Sequence, residues 1–138
     1  MAPLSVEPLQ KAISQLDSGL KEYEQSNKNE FLRDGVIQRF KYTYVISCKT
    51  LKCFLETTNP SPALIDQMSF STLIRSAWEQ GLLKSSCDVW KNFREAHNNT
   101  SHAYDEIKAK EVFSVIPSFI IQAEYLIKQI DIKTQSND

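Results

Sequence analysis

The sequence is poor in the residues from which most catalytic and cofactor sites are built. It has three glycines and two histidines among 138 residues. Glycine-rich phosphate loops and four-ligand zinc sites both need more of these residues at set spacings. The three cysteines are an odd number without a CxxC pair, which predicts reduced thiols. We therefore expect neither a bound metal ion nor a cofactor.

Long apolar runs and an excess of one charge are also missing. The sequence has sixteen basic and seventeen acidic residues, for a formal net charge of -1, so no general attraction to nucleic acid is expected. No apolar run reaches the length of a membrane-spanning helix, and the first residues lack the pattern of a secretory signal. These features predict one cytoplasmic domain over residues 1–138, with a core from about 5 to 132, a polar C-terminal tail and no membrane contact.

Apolar residues recur every three or four positions through most of the chain, which is the pattern of one helix face. The polar stretch 24–30, the prolines at 60 and 62, and Gly81 interrupt it. A last helix is predicted to begin between Tyr104 and Lys108. The pattern predicts an all-α, up-and-down bundle of about five helices, with sequential helices antiparallel because their connections are short. Gly35 marks either a close helix contact or a tolerated glycine.

Polar side chains concentrate in one segment, residues 94–106, between two apolar helical faces. If this segment were helical, Arg94, Asn98 and His102 would form a single stripe. His97 and His102 would then point about 140° apart. The Asn-Asn-Thr-Ser run is a poor helix interior, so the segment could equally be a helix connection with capping side chains. The residues alone leave both interpretations open.

The run EAHNNTSHAYDE, residues 95–106, resembles the signature of the nucleotidyltransferase substrate-binding protein family. This family is part of the wider HEPN group of helical domains. Residues 31–40 resemble the family's early long helix. Residues 76–83, followed by Trp90, resemble its middle helices. The resemblance extends over roughly residues 5–132.

The resemblance implies a five-helix HEPN-like bundle that usually forms a homodimer. It also implies a separately encoded partner, a minimal nucleotidyltransferase, in some cases within a toxin–antitoxin-type pair. The implied nucleotide- or RNA-binding residues are His97, Asn98, His102 and Tyr104. In related pairs the tyrosine at the position of Tyr104 is a target for nucleotide addition by the partner.

Two alternatives compete with this binding role. The resemblance also implies a possible ribonuclease, because many HEPN proteins have a metal-independent ribonuclease site in which an arginine stabilises phosphate charge and a histidine moves a proton. The histidine position corresponds to His102, but the arginine position holds His97, and Arg94 lies further from His102 than is usual. A histidine carries positive charge only when protonated, so this departure disfavours ribonuclease activity. The other alternative is a purely structural dimerisation bundle whose polar segment is only a turn.

Overall fold

The computed structural model describes residues 5–136, and these residues form helices and connections without a strand. The α-helices are α1 (Glu7–Gln25), α2 (Glu30–Thr58), α3 (Pro62–Asp66), α4 (Phe70–Glu79), α5 (Cys87–Asn98) and α6 (Glu106–Ser136). A 3-10 turn, Asn99–His102, joins α5 to the residues before α6. The predicted all-α bundle is confirmed. Within the described residues, no helix combines the length and apolar character needed to cross a bilayer.

The ends of the helices follow the capping chemistry of the sequence. The Asn29 side chain accepts a hydrogen bond from the Leu32 N–H at 3.1 Å and caps α2. Gly81, with φ of 78°, follows the last turn of α4 in the left-handed conformation that favours glycine. The Asp105 carboxylate accepts from the N–H groups of Ile107 and Lys108 at 2.9 and 3.2 Å. These bonds fix the start of α6 at Glu106, inside the predicted window.

One short helix, α3, was not expected from the sequence. Pro62 stands in its first turn, where the missing N–H is harmless, and Ile65 is its buried residue. Five residues are too few to show a helical repeat of apolar positions. The sequence therefore predicted only an interruption of the helical pattern at the two prolines, and no helix there. The break between α2 and α4 is real, but it contains this additional turn of helix.

The core is built around α2, which packs against every other helix and the 3-10 turn. At its centre, the Phe119 ring of α6 lies 5.2 Å from the Phe40 ring and 5.4 Å from the Phe93 ring. The rings of Tyr44 and Trp90 lie 6.3 and 6.2 Å from it. Edge-on aromatic contacts of this kind add to the free energy of burial. The cluster joins α2, α5 and α6 and so positions the end of α5.

The close helix contact lies at Gly19 and not at Gly35. A Cβ atom at Gly19 would stand 2.9 Å from Arg39 Nη1 and 3.3 Å from Val36 Cγ2, both on α2. At Gly35 nothing lies within 4 Å of such an atom. Gly35 is therefore the tolerated glycine, and the interpretation of Gly35 as a contact position is wrong.

Candidate functional site

The polar segment folds as a helix end and a tight turn. Helix α5 stops at Asn98, and the 3-10 turn runs to His102. The Thr100 hydroxyl donates to the His97 carbonyl at 2.7 Å. Side-chain bonds of this kind satisfy carbonyls at a helix end and compete with further helix. The continuous stripe of Arg94, Asn98 and His102 on one helix does not form.

Two predicted site residues, His102 and Tyr104, are exposed beside this turn. Tyr104 is 88% exposed, and its ring centroid lies 6.3 Å from that of His102. The two rings meet nearly edge to face, at 68°. Neither side chain is hydrogen-bonded to another residue within 5–136. An imidazole and a phenol are thus presented together to solvent, where either could hydrogen-bond to or stack on a ligand.

His97 points into the bundle. Its ring is half-buried and stacks on the Tyr44 ring, with centroids 4.7 Å apart and planes 27° apart. Its Nε2 atom is closed to solvent and has no hydrogen-bond partner among the described residues. Burial is the main cause that lowers the pKa of His97. The Asn98 side chain raises the pKa by a smaller amount, and Lys41 lowers it by a still smaller one. The residue at the arginine position is therefore neutral near pH 7.

This burial predicts a pH dependence of stability. The pKa of His97 is lower in the folded chain than its ordinary 6.5, so protons bind more tightly to the unfolded chain. The contribution to stability is complete above about pH 6.5 and is lost as the pH falls through the folded pKa. Urea unfolding between pH 7.5 and 5 should show a smaller decline for His97→Gln than for the wild type. Equal declines in the two proteins would contradict this role of His97.

Arg94 and Asn98, the remaining predicted residues, are both exposed on α5. The Arg94 guanidinium lies over the Phe70 ring, with Cζ 4.8 Å from the ring centroid, in a cation–π contact. Asn98 is the last residue of α5, and its carbonyl accepts from the Ser101 hydroxyl at 3.4 Å. Asn98 thus borders the turn that carries His102, whereas Arg94 is engaged by α4.

Sequence analysis did not identify two partners of this segment. Arg33 Nη1 on α2 donates to both carboxylate oxygens of Glu106, at 2.8 and 3.0 Å. Tyr44 on α2 is the stacking partner of His97. Arg33 and Glu106 are 73 residues apart, so no local pattern could pair them. Within the described residues, no group of three or more His, Cys, Asp or Glu side chains could hold a metal ion.

Comparison with known proteins agrees with this fold. Residues 4–132 match the family described as nucleotidyltransferase substrate binding protein like. The chain belongs to this family. A Haemophilus influenzae (strain Rd) protein named probable ribonuclease HepT is 32% identical over 101 residues, which are 73% of this chain and 68% of that protein.

Two solved structures are similar over nearly their full length. One, from Haemophilus influenzae, is described as the fold of a substrate binding domain of a nucleotidyltransferase. It has a TM-score of 0.85 and 26% identity, covering 92% of this chain and 99% of the other. The second, a protein from Thermus thermophilus, has a TM-score of 0.70 and 26% identity, covering 88% of this chain and 98% of its own.

Proposed function

We propose that this chain is a non-catalytic, substrate-binding subunit that acts with a separately encoded minimal nucleotidyltransferase. The observation that carries the proposal is the exposed pair His102 and Tyr104, presented on a turn that is fixed at both ends. Family membership and the similarity to a substrate binding domain support it. The two chains, in some cases a toxin–antitoxin-type pair, would together form one nucleotidyltransferase, in which this chain completes the substrate site.

The proposed contact surface for a nucleotide or RNA consists of Asn98, His102 and Tyr104, with His97 behind them. Because His97 is neutral and stacked on Tyr44, its role here is to hold the end of α5 rather than to bind phosphate. The family resemblance also favours a homodimer in the cytoplasm, and Tyr104 is exposed enough to accept a nucleotide from the partner.

Affinity capture tests the proposal directly. The tagged chain is expressed in its native cells, and the captured proteins are identified by mass spectrometry. We expect a nucleotidyltransferase to co-purify with the wild type. A His102→Ala variant that folds normally should capture less of it. Recovery of no nucleotidyltransferase with the wild type would remove the main support for the proposal.

A metal-independent ribonuclease is the second candidate function. It is favoured by the relative named probable ribonuclease HepT and by the exposed imidazole of His102, which could move a proton. What this ribonuclease site lacks is a cationic side chain to stabilise the phosphate charge. His97 is neutral and packed inside, and the Arg94 guanidinium is stacked on Phe70. The geometry therefore favours binding over cleavage.

We expect no cleavage of RNA by the purified chain in EDTA at low salt. Low salt is the favourable condition, since phosphate contacts weaken as salt increases. His102→Ala serves as the matched control for contaminating ribonucleases. Cleavage by the wild type that is lost in His102→Ala would make the chain a ribonuclease, and Arg94→Ala would then show whether that guanidinium supplies the charge.

A further inference from the structure

A cavity of about 480 Å³ lies between the end of α1, the start of α2 and the first half of α6. We call it the basic cleft and define it by Tyr23, Lys28, Arg33, Glu106, Lys110 and Phe113. Its volume is within the range of small-molecule sites, roughly 300–1,000 Å³. Of the polar segment 94–106, only Glu106 lines this cleft. It is therefore a second place at which a ligand could bind.

Positive charge exceeds negative charge in this cleft. Lys28, Arg33 and Lys110 line it, together with the two carboxylates Glu30 and Glu106. Glu106 is occupied by Arg33, with an Nη1–Oε1 distance of 2.8 Å. Neither Lys28 nor Lys110 forms an ion pair within residues 5–136. Among residues 5–136, two ammonium groups thus stand at the cleft with one carboxylate, Glu30, that no ion pair occupies, and the net positive charge suits an anionic ligand.

Lys28 is held there against its backbone preference. It has a φ of 56° and is the only non-glycine residue of the described chain in the left-handed region. The Ser26 hydroxyl fixes this turn, because it accepts from the Asn29 N–H at 3.2 Å and donates to the Tyr23 carbonyl at 2.7 Å. Glycine or asparagine would fit this conformation with less strain than lysine. Strain of this kind is typical of functional positions.

The wall of the cleft also carries an aromatic pair. The rings of Tyr23 and Phe113 lie 4.7 Å apart, tilted by 55°, and both are half-buried. An aromatic surface of this kind can stack with a nucleobase, and stacking tolerates different bases because each has a π-face. Aromatic rings and unpaired cations therefore share one cavity.

We propose that the basic cleft binds a mononucleotide, with its phosphate on Lys28 and Lys110 and its base against Tyr23 and Phe113. Arg33 would form the cationic floor, since its side chain is 12% exposed and held by Glu106. The proposal rests on the substrate-binding role proposed above, and it names a nucleotide as the substrate class. The side chains involved differ from Asn98, His102 and Tyr104, so the two proposals can fail separately.

Titration calorimetry on the intact chain at low salt tests the cleft. The probes are the four ribonucleoside monophosphates, adenosine and inorganic phosphate. We expect a nucleotide to bind more tightly than adenosine or phosphate alone. Lys28→Gly and Lys110→Ser should each weaken binding by about fivefold to tenfold, because each removes a charged hydrogen-bond donor. The control is Lys91→Ser, which removes another exposed lysine, on α5 and outside the cleft, and should not change binding.

Thermal melting separates a binding role from a structural one. Lys28→Gly should melt no lower than the wild type, because glycine accepts the left-handed conformation. The proposal is overturned if the double variant of Lys28 and Lys110 binds nucleotide as well as the wild type does. It is also overturned if phosphate alone binds as tightly as the nucleotide, or if no mononucleotide binds. If the wild type captures no nucleotidyltransferase but binds a mononucleotide in the titration, only the partner proposal is rejected.

Discussion

Replacing Phe119 with alanine should lower the free energy of unfolding by about 3–5 kcal/mol, as is usual for a buried phenylalanine. Phe119 is fully buried, and its ring contacts the rings of Phe40, Tyr44, Trp90 and Phe93. The truncation removes apolar burial and leaves a cavity between α2, α5 and α6. A domain of this size is stable by roughly 5–15 kcal/mol, so this one change could remove most of that stability.

Urea unfolding followed by circular dichroism measures this loss. The matched control is Phe31→Ala, because Phe31 is 89% exposed and its truncation should change stability by no more than about 0.5 kcal/mol. Phe119→Leu should fall between the two, since it keeps part of the buried volume. A Phe119→Ala protein as stable as the Phe31→Ala protein would show that the aromatic cluster is not the centre of the core.

Replacing Tyr104 with alanine should weaken binding to the captured nucleotidyltransferase by about thirtyfold or more, equivalent to about 2 kcal/mol. Tyrosine is among the residues that contribute most to interfaces, and Tyr104 is 88% exposed beside His102. Because its side chain contributes little to the core, the variant should unfold at the same urea concentration as the wild type.

The dissociation constant for the purified partner is the quantity to measure. Tyr104→Phe shows how much of the effect belongs to the hydroxyl group. Trp78→Ala is the control, since it removes an exposed aromatic side chain of α4, 47% accessible, that lies outside the polar segment. Unchanged affinity in Tyr104→Ala would show that the partner binds elsewhere on the bundle.

Most of the fold follows from local sequence pattern. The three- and four-residue spacing of apolar positions identified the long helices α2 and α6, and Gly81 marked the end of α4. These signals are local, so one sequence suffices to read them. Helix α3 was missed because a single turn shows no repeat. Gly35 was ambiguous because the sequence does not show which residues of a neighbouring helix lie opposite a given glycine. The close approach between two helices is at Gly19.

The site could be predicted only as a stretch of chain. The sequence located the polar segment, and the family resemblance selected His102 and Tyr104 within it. That the two rings lie together and exposed is known only from the structure. It could not show that His97 turns inward onto Tyr44, because that orientation depends on the packing of α5 against α2. The bridge from Arg33 to Glu106 and the basic cleft likewise bring together residues from distant parts of the chain.

The 3-10 turn Asn99–His102 contains no buried residue. The helices before and after it are fixed mainly by the aromatic core and by the Asp105 cap, and of the four side chains Thr100 adds one bond to the end of α5. Surface turns on rigid scaffolds accept substitution readily and often carry specificity. In the course of evolution, this bundle can thus exchange one ligand preference for another by changes in a single turn, while selection for folding acts on other residues.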